Sequence, residues 1–299
     1  MGHAAGVKPA LGSIVTAATV VSVAAAKAAS PNCLGGRGAG ERKVSARQLS
    51  SGHGGLVAGL SDVDAVGLAG VSDDDVEFRQ HRFQPPPGAC EVLLVRHGES
   101  QPVRLDQPPP MVAGQADPPL DPRGRAEAHR LADRLRAVQP AAIHVSTLRR
   151  TAETAAPLAQ RLGKPSQVTP ELSEIHLGDW EGAEWRRRVH NHDPVAMRAF
   201  AEQRWDVIPG AESNEAVADR LRAGLGRIAA AHPDQRVVVV SHAGAIGVIV
   251  ALATGANAFA FIGADNASIS HLVMAGDTWV VRRFNDTAHL ATDLDHPPD

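Results

Sequence analysis

The stretch Val92-Leu-Leu-Val-Arg-His-Gly-Glu-Ser100 decides how the rest of the chain is read. Val92 to Val95 is a short unbroken apolar run, the pattern of a central parallel strand covered on both faces. It ends abruptly in a cation, an imidazole and a glycine. A second run, Val237–Val240, ends in Ser241-His242-Ala-Gly244. In open parallel sheets, ligands bind beyond the carboxyl ends of the strands. Two such runs, each closing on a histidine and one with Arg96 beside it, predict a shared polar site at one end of a sheet. Gly98 and Gly244 let the backbone turn sharply or approach a ligand closely there.

Working outward, strands alternate with helices. Asp121-Pro122 is a helix start, Asp as N-cap and Pro at the first helical position. Ala128, Leu131, Leu135 and Val138 then recur at helical spacing. Residues 141–146 read as a strand. Leu148, Ala152, Ala155, Ala159 and Leu162 mark another helix, stopped near Gly163, which Pro157 is expected to kink or divide. Pro209 to Ser213 reads as a turn leading into a long helix with Val217, Leu221, Leu225 and Ile228 on one face. Ala245–Ala253 is a further helix, and Ile269–Met274 with Trp279–Arg283 a terminal hairpin. The pattern predicts an α/β fold, a three-layer α/β/α sandwich with a mostly parallel central sheet.

Composition bounds the rest. The 299 residues suffice for one core of about 200 residues with length to spare. Aromatics are only 3% and Tyr is absent, so that core must be built from Val, Leu, Ile and Ala. A net charge of −3 gives no reason to expect a nucleic-acid or membrane-surface partner. Cys33 and Cys90 have no metal or redox spacing, which points to a reducing, cytoplasmic compartment. The alternative is secretion, from the mildly apolar Leu11–Ala26 followed by the small residues around Lys27, but that stretch is polar for a signal peptide and preceded only by Lys8. Residues 1–88 read as an Ala/Gly-rich disordered tail and a Pro-rich linker, 89–290 as the folded domain and 291–299 as a C-terminal tail. Nothing in the sequence fixes an oligomeric state.

Further segments add chemistry. Ser146 to Ala155 places Arg149 and Arg150 at a helix N-terminus, where the helix dipole disfavours cations and a bound anion would relieve the conflict. Glu174, between Leu172 and Ile175, reads as a partly buried carboxyl suited to donating a proton.

These motifs, in this order, resemble the histidine phosphatase superfamily, also called the phosphoglycerate mutase-like family: Arg96-His97-Gly98; Asp117 through Gly124; Ser146 through Ala155; Leu172-x-Glu174 followed by Gly178 through Gly182; Glu212-Ser213; and Ser241-His242-Ala-Gly244. The resemblance covers roughly residues 90 to 285. It implies that His97 is the nucleophile that becomes a phosphohistidine. Arg96, Arg150 and His242 form the cage around the phosphoryl oxygens. The Ser-x-Leu-x-Arg spacing selects Arg150 over Arg149. Glu174 serves as acid and then as base. Ser100, Gly114, Arg186 and Ala243 are the expected substrate-binding positions, and neither a metal nor a cofactor is implied.

The expected reaction is metal-independent hydrolysis of a small phosphorylated metabolite. Where a mutase motif continues with Trp-Asn this chain has Pro102 and Val103, and it has Gly247 where Arg often stands. Both departures remove polar contacts a mutase would use. Mutase-type transfer and a non-catalytic phospho-ligand-binding domain are the alternatives, though binding alone would not need Glu174. Arg186, Arg187, Arg188, His190 and His192 fall where the family carries a variable cap, and read either as recognition of an acidic substrate or as a solvated basic face. His190-Asn-His192 lacks companion ligands for a metal.

Overall fold

The apolar run at residues 92–95 is the middle of β1 (Cys90–Arg96) in the computed structural model, which describes residues 80–290 apart from residue 105. The readings of the N-terminal tail, its signal-like stretch and the 291–299 tail lie outside the described residues. In chain order there follow β2 (Met111–Val112), β3 (Gln115–Ala116), α1 (Pro122–Leu135), β4 (Ala142–Val145), α2 (Arg149–Leu162), β5 (Ser166–Val168), α3 (Glu184–His190) and α4 (Pro194–Glu202). The chain then forms α5 (Asn214–Ala231), β6 (Arg236–Ser241), α6 (Ala243–Thr254), β7 (Ile269–Ala275) and β8 (Thr278–Asp286).

Six strands form one sheet in the order β5-β4-β6-β1-β7-β8. The first four run parallel, and β7 and β8 join antiparallel. Each central strand is buried on both sides, as its unbroken apolar run requires. Val92, Leu94, Val237 and Val239 pack with α5 and α6 on one face. Leu93, Val95, Val238 and Val240 pack with α1 and α2 on the other. The expected three layers are therefore present. Because β1 leads to a helix on one face and its neighbour β6 to a helix on the opposite face, a crevice opens between their carboxyl ends, the switch point at which such sheets bind ligands.

The helix starts follow their sequence signals. Asp121 caps α1, its carboxylate accepting from the Arg123 amide at 3.1 Å, with Pro122 at the first position. Ser213 caps α5 through the Ala216 amide at 3.1 Å. Pro157 does not divide α2, which runs unbroken across it. Thr151, Thr154, Ala155 and Leu158 are buried on both sides of the proline, and this shared packing outweighs the one helical hydrogen bond Pro157 cannot make.

The sheet core is aliphatic, as composition requires, and the few aromatics gather elsewhere. Trp185 stacks on Trp180 at 6.1 Å, meets Trp205 edge-on at 5.6 Å and lies 5.5 Å from Phe200. Trp205 in turn packs on Phe259 at 4.4 Å. Among the described residues no helix is long and apolar enough to cross a membrane.

Candidate active site

The register carries three strand ends to one level: Val240 pairs with Val95 on one side and Val145 on the other. His97, Ser146 and His242 are the first residues beyond or at those ends, and all three are buried. The His97 and His242 rings meet edge-on with centroids 5.1 Å apart. Arg150, on the first turn of α2, donates from Nε to His97 Nε2 at 3.2 Å and from Nη1 to the Ala116 carbonyl at 2.9 Å. Arg149 instead points outward and pairs with Glu153. The spacing that favours Arg150 thus agrees with the geometry.

Hydrogen-bond chemistry settles the proton on His97. Nδ1 lies 2.7 Å from the Gly98 carbonyl, which can only accept, so Nδ1 carries the hydrogen. Nε2 then presents its lone pair to Arg150. Burial, followed by the charges of Arg150 and Arg96, pushes the His97 imidazole well below its ordinary range, so it is neutral near pH 7. Burial and the same arginines do likewise to His242, with His97 adding to the effect. The Arg96 guanidinium donates from Nη1 to the Ala264 carbonyl at 2.5 Å, and burial lowers it only to about 10, so it remains a cation.

The loop that carries His97 is pressed flat by two glycines. A Cβ on Gly98 would lie 2.6 Å from the Gly124 carbonyl oxygen, and one on Gly124 only 2.1 Å from that of Glu99. Thr154 accepts from the Gly98 amide at 2.9 Å and Glu127 from the Glu99 amide at 2.8 Å.

Glu174 reaches the site from the segment after β5. Its carboxylate accepts from the amides of Ala245 at 3.0 Å, Gly244 at 3.2 Å and its own neighbour Ile175 at 3.0 Å. It therefore caps α6, whose N-cap residue, His242, supplies no side-chain bond. A similar substitution occurs at α2. Asp117 accepts from the Arg149 amide at 2.8 Å and lies 4.0 Å from Arg150 Nη1. The conflict of two arginines with the helix dipole is thus already eased by a carboxylate of the chain, a role the sequence did not announce because Asp117 stands 32 residues away.

The expected substrate-binding positions are distributed as follows. Ser100 forms an isolated β-bridge with Leu120. Gly114, at φ +80°, and Ala113, at φ 48°, make the two-residue turn joining β2 to β3, the positive-φ pair a tight hairpin demands. A Cβ on Gly114 would come within 2.7 Å of His176 Nε2. Ala243 opens α6. On α3 the three arginines separate: Arg187 and Arg188 both pair with Glu184, and Arg188 also pairs with Asp193 and lies 4.5 Å over the Trp180 ring. Arg186 is exposed, forms no ion pair among the described residues, and adds its positive charge to the field felt by Arg96, His97 and Arg150. Sequence reasoning gave no role to Ser146, whose hydroxyl lies 2.8 Å from His242 Nε2, or to Arg220, which grips the Glu174 segment.

Comparison with known proteins identifies the family. The profile of the histidine phosphatase superfamily (branch 1) matches residues 92–287. The chain is 31% identical over 206 residues to a metal-independent phosphoserine phosphatase of Arabidopsis thaliana, covering 68% of this chain and 84% of that protein. It is 34% identical over 206 residues to phosphoglycerate mutase-like protein 4 of the same plant, covering 67% and 87%. Among solved structures, a mycobacterial glucosyl-3-phosphoglycerate phosphatase superposes with a TM-score of 0.57 at 31% identity, covering 67% of this chain and 100% of that one. The chain belongs to the histidine phosphatase superfamily, branch 1.

Proposed function

We propose that this enzyme hydrolyses a small phosphomonoester without a metal, through a phosphohistidine on His97. The observation that carries the reading is the neutral His97 ring, tied at Nδ1 to Gly98 and offering Nε2 at 3.2 Å from the Arg150 Nε. Nε2 attacks phosphorus as the P–O bond to the alcohol breaks. Arg96, Arg150 and His242 stabilise the charge on the phosphoryl oxygens. Glu174 gives its proton to the departing oxygen, which leaves it ionised. It then takes a proton from the water that attacks the phosphohistidine, releasing phosphate and restoring both groups.

Ser100, Gly114, Arg186 and Ala243 are proposed to face the substrate. Phosphoserine and glucosyl-3-phosphoglycerate, named for two relatives, both bear a carboxylate near the phosphate. The unpaired Arg186 suits such a second anionic group, so we extend the substrate class to phosphomonoesters of carboxylic acids. The cytoplasm is the proposed compartment, as the cysteine usage suggests.

The test uses p-nitrophenyl phosphate in the presence of EDTA. Turnover is expected to persist, and His97→Ala to abolish both turnover and an acid-labile phosphoenzyme. Loss of activity in EDTA with recovery on adding zinc, or a phosphoenzyme surviving in His97→Ala, would overturn the mechanism.

A further inference from the structure

Glu212-Ser213 is singled out by the sequence, yet only Ser213 has an evident task, capping α5. Glu212 faces Arg220, two turns on. Arg220 Nε donates to Glu212 Oε1 at 2.7 Å and Nη2 to Oε2 at 2.8 Å. The rest of the guanidinium turns to the segment bearing Glu174. Nη1 donates to the carbonyls of Glu171 and Ser173, both at 2.8 Å, and Nη2 to that of Glu174 at 3.0 Å. All five N–H groups of the fork are thereby used. Glu212 completes the frame, accepting from the His176 amide at 2.9 Å while its own amide donates to the His176 carbonyl at 2.9 Å. Gln115 from β3 adds a second donor to the Glu174 carbonyl at 2.8 Å.

We infer that Arg220 and Glu212 are positioning residues for Glu174, fixing its backbone from behind so that its carboxyl stands at the mouth of α6 facing the phosphoryl site. The inference rests on the acid role proposed for Glu174. Glu174 is held from two sides: amides of α6 grip the carboxyl, and Arg220 grips the peptide that carries it. A proton donor misplaced by about an ångström loses much of its rate advantage. A lysine at 220 has three donors on a point charge and cannot span three carbonyls and a carboxylate at once. Arg220 thus acts on the reaction through Glu174 and touches no substrate.

The experiment compares kcat/KM for glycerol 2-phosphate, whose alkoxide needs a proton to leave, with p-nitrophenyl phosphate, whose phenolate does not. Glu174→Gln is expected to lower the first by about 100-fold and the second far less. Arg220→Lys and Glu212→Gln should show the same selectivity, about tenfold against less than about threefold. In the Glu174→Gln background they should add almost nothing, because their effect passes through that carboxyl. Thermal melting of each variant shows whether it is folded. If Arg220→Lys does not fold, Glu212→Gln carries the test. Equal losses on both substrates, or losses that multiply in the Glu174→Gln background, would overturn the positioning role. Should Glu174→Gln itself show no selectivity, the acid assignment fails and the inference with it. Selectivity in Glu174→Gln without selectivity in the other two sinks the inference alone.

Discussion

Ser146 shows how one hydroxyl can set the chemistry of a histidine 96 residues away. Thr151 gives its hydrogen to the Leu148 carbonyl at 2.8 Å, and the Leu148 amide donates to Ser146 Oγ at 3.2 Å. Two acceptors are then open to the Ser146 hydrogen, Thr151 Oγ1 at 3.1 Å and His242 Nε2 at 2.8 Å, and the shorter contact is to His242. With that hydrogen given to His242, the neutral ring carries its proton on Nδ1, which is buried and has no partner among the described residues. An N–H in that state is a ready donor for a phosphoryl oxygen. Ser146→Ala should lower kcat/KM about tenfold, the usual cost of orphaning a buried polar atom, and shift the His242 ring ¹⁵N resonances as the proton moves to Nε2. An unchanged ¹⁵N spectrum would contradict the relay. At this scale His97, Arg150, Glu174 and His242 were legible because strand ends and motif spacing mark them. Ser146, Asp117 and Arg220 were not, since each acts on a residue reached only through the fold.

Among the elements, the long periodic ones were visible in the sequence. The apolar runs gave β1 and β6, and the spacing of Leu131 and Leu135, or of Leu221 and Leu225, gave α1 and α5. The short ones were not. β2 and β3 have two residues each and β5 three, too few to establish a period. β5 is also an edge strand whose Val168 is largely exposed, so it carries no inward pattern. Pro157 leaves α2 undivided because local propensity yields to packing between α1 and α2. The seating of α1 on the His97 loop depends on Gly124, with no room for a methyl group. Gly124→Ala is expected to cost about 1–3 kcal/mol by overpacking and to reduce turnover along with the melting temperature, since the loop must lift. Melting curves and p-nitrophenyl phosphate assays on the same preparation check this; full activity at wild-type stability would show that the loop yields freely.

For the molecule as a whole, the layered architecture followed from alternating strands and helices, while the aromatic cluster around Trp185 did not, because its members come from three separate stretches of chain, residues 180–185, residues 200–205 and Phe259. Burying imidazoles also ties global stability to pH. Burial lowers His144 to about 4, with His232 adding to it, and lowers His289 to about 4, helped by Arg134. His97 and His242 are pushed well below their ordinary range by burial and then by Arg150. Unfolded, each titrates near the ordinary histidine value of 6.5. Between that value and the lower one the unfolded chain binds more protons, so stability falls as pH drops, by up to about 1.4 kcal/mol per pH unit for each such histidine. The melting temperature should decline from pH 7 to pH 5, and His144→Gln should flatten the decline; a level profile in the wild type would refute this. The capping of α6 by Glu174 has one more consequence. Whenever that carboxyl takes up a proton, one of its oxygens becomes a donor and the opening turn of the helix loses an acceptor. On the mechanism proposed above, the catalytic cycle alternately tightens and slackens a structural clasp, and amide exchange at residues 244 and 245 is expected to differ between turnover and rest.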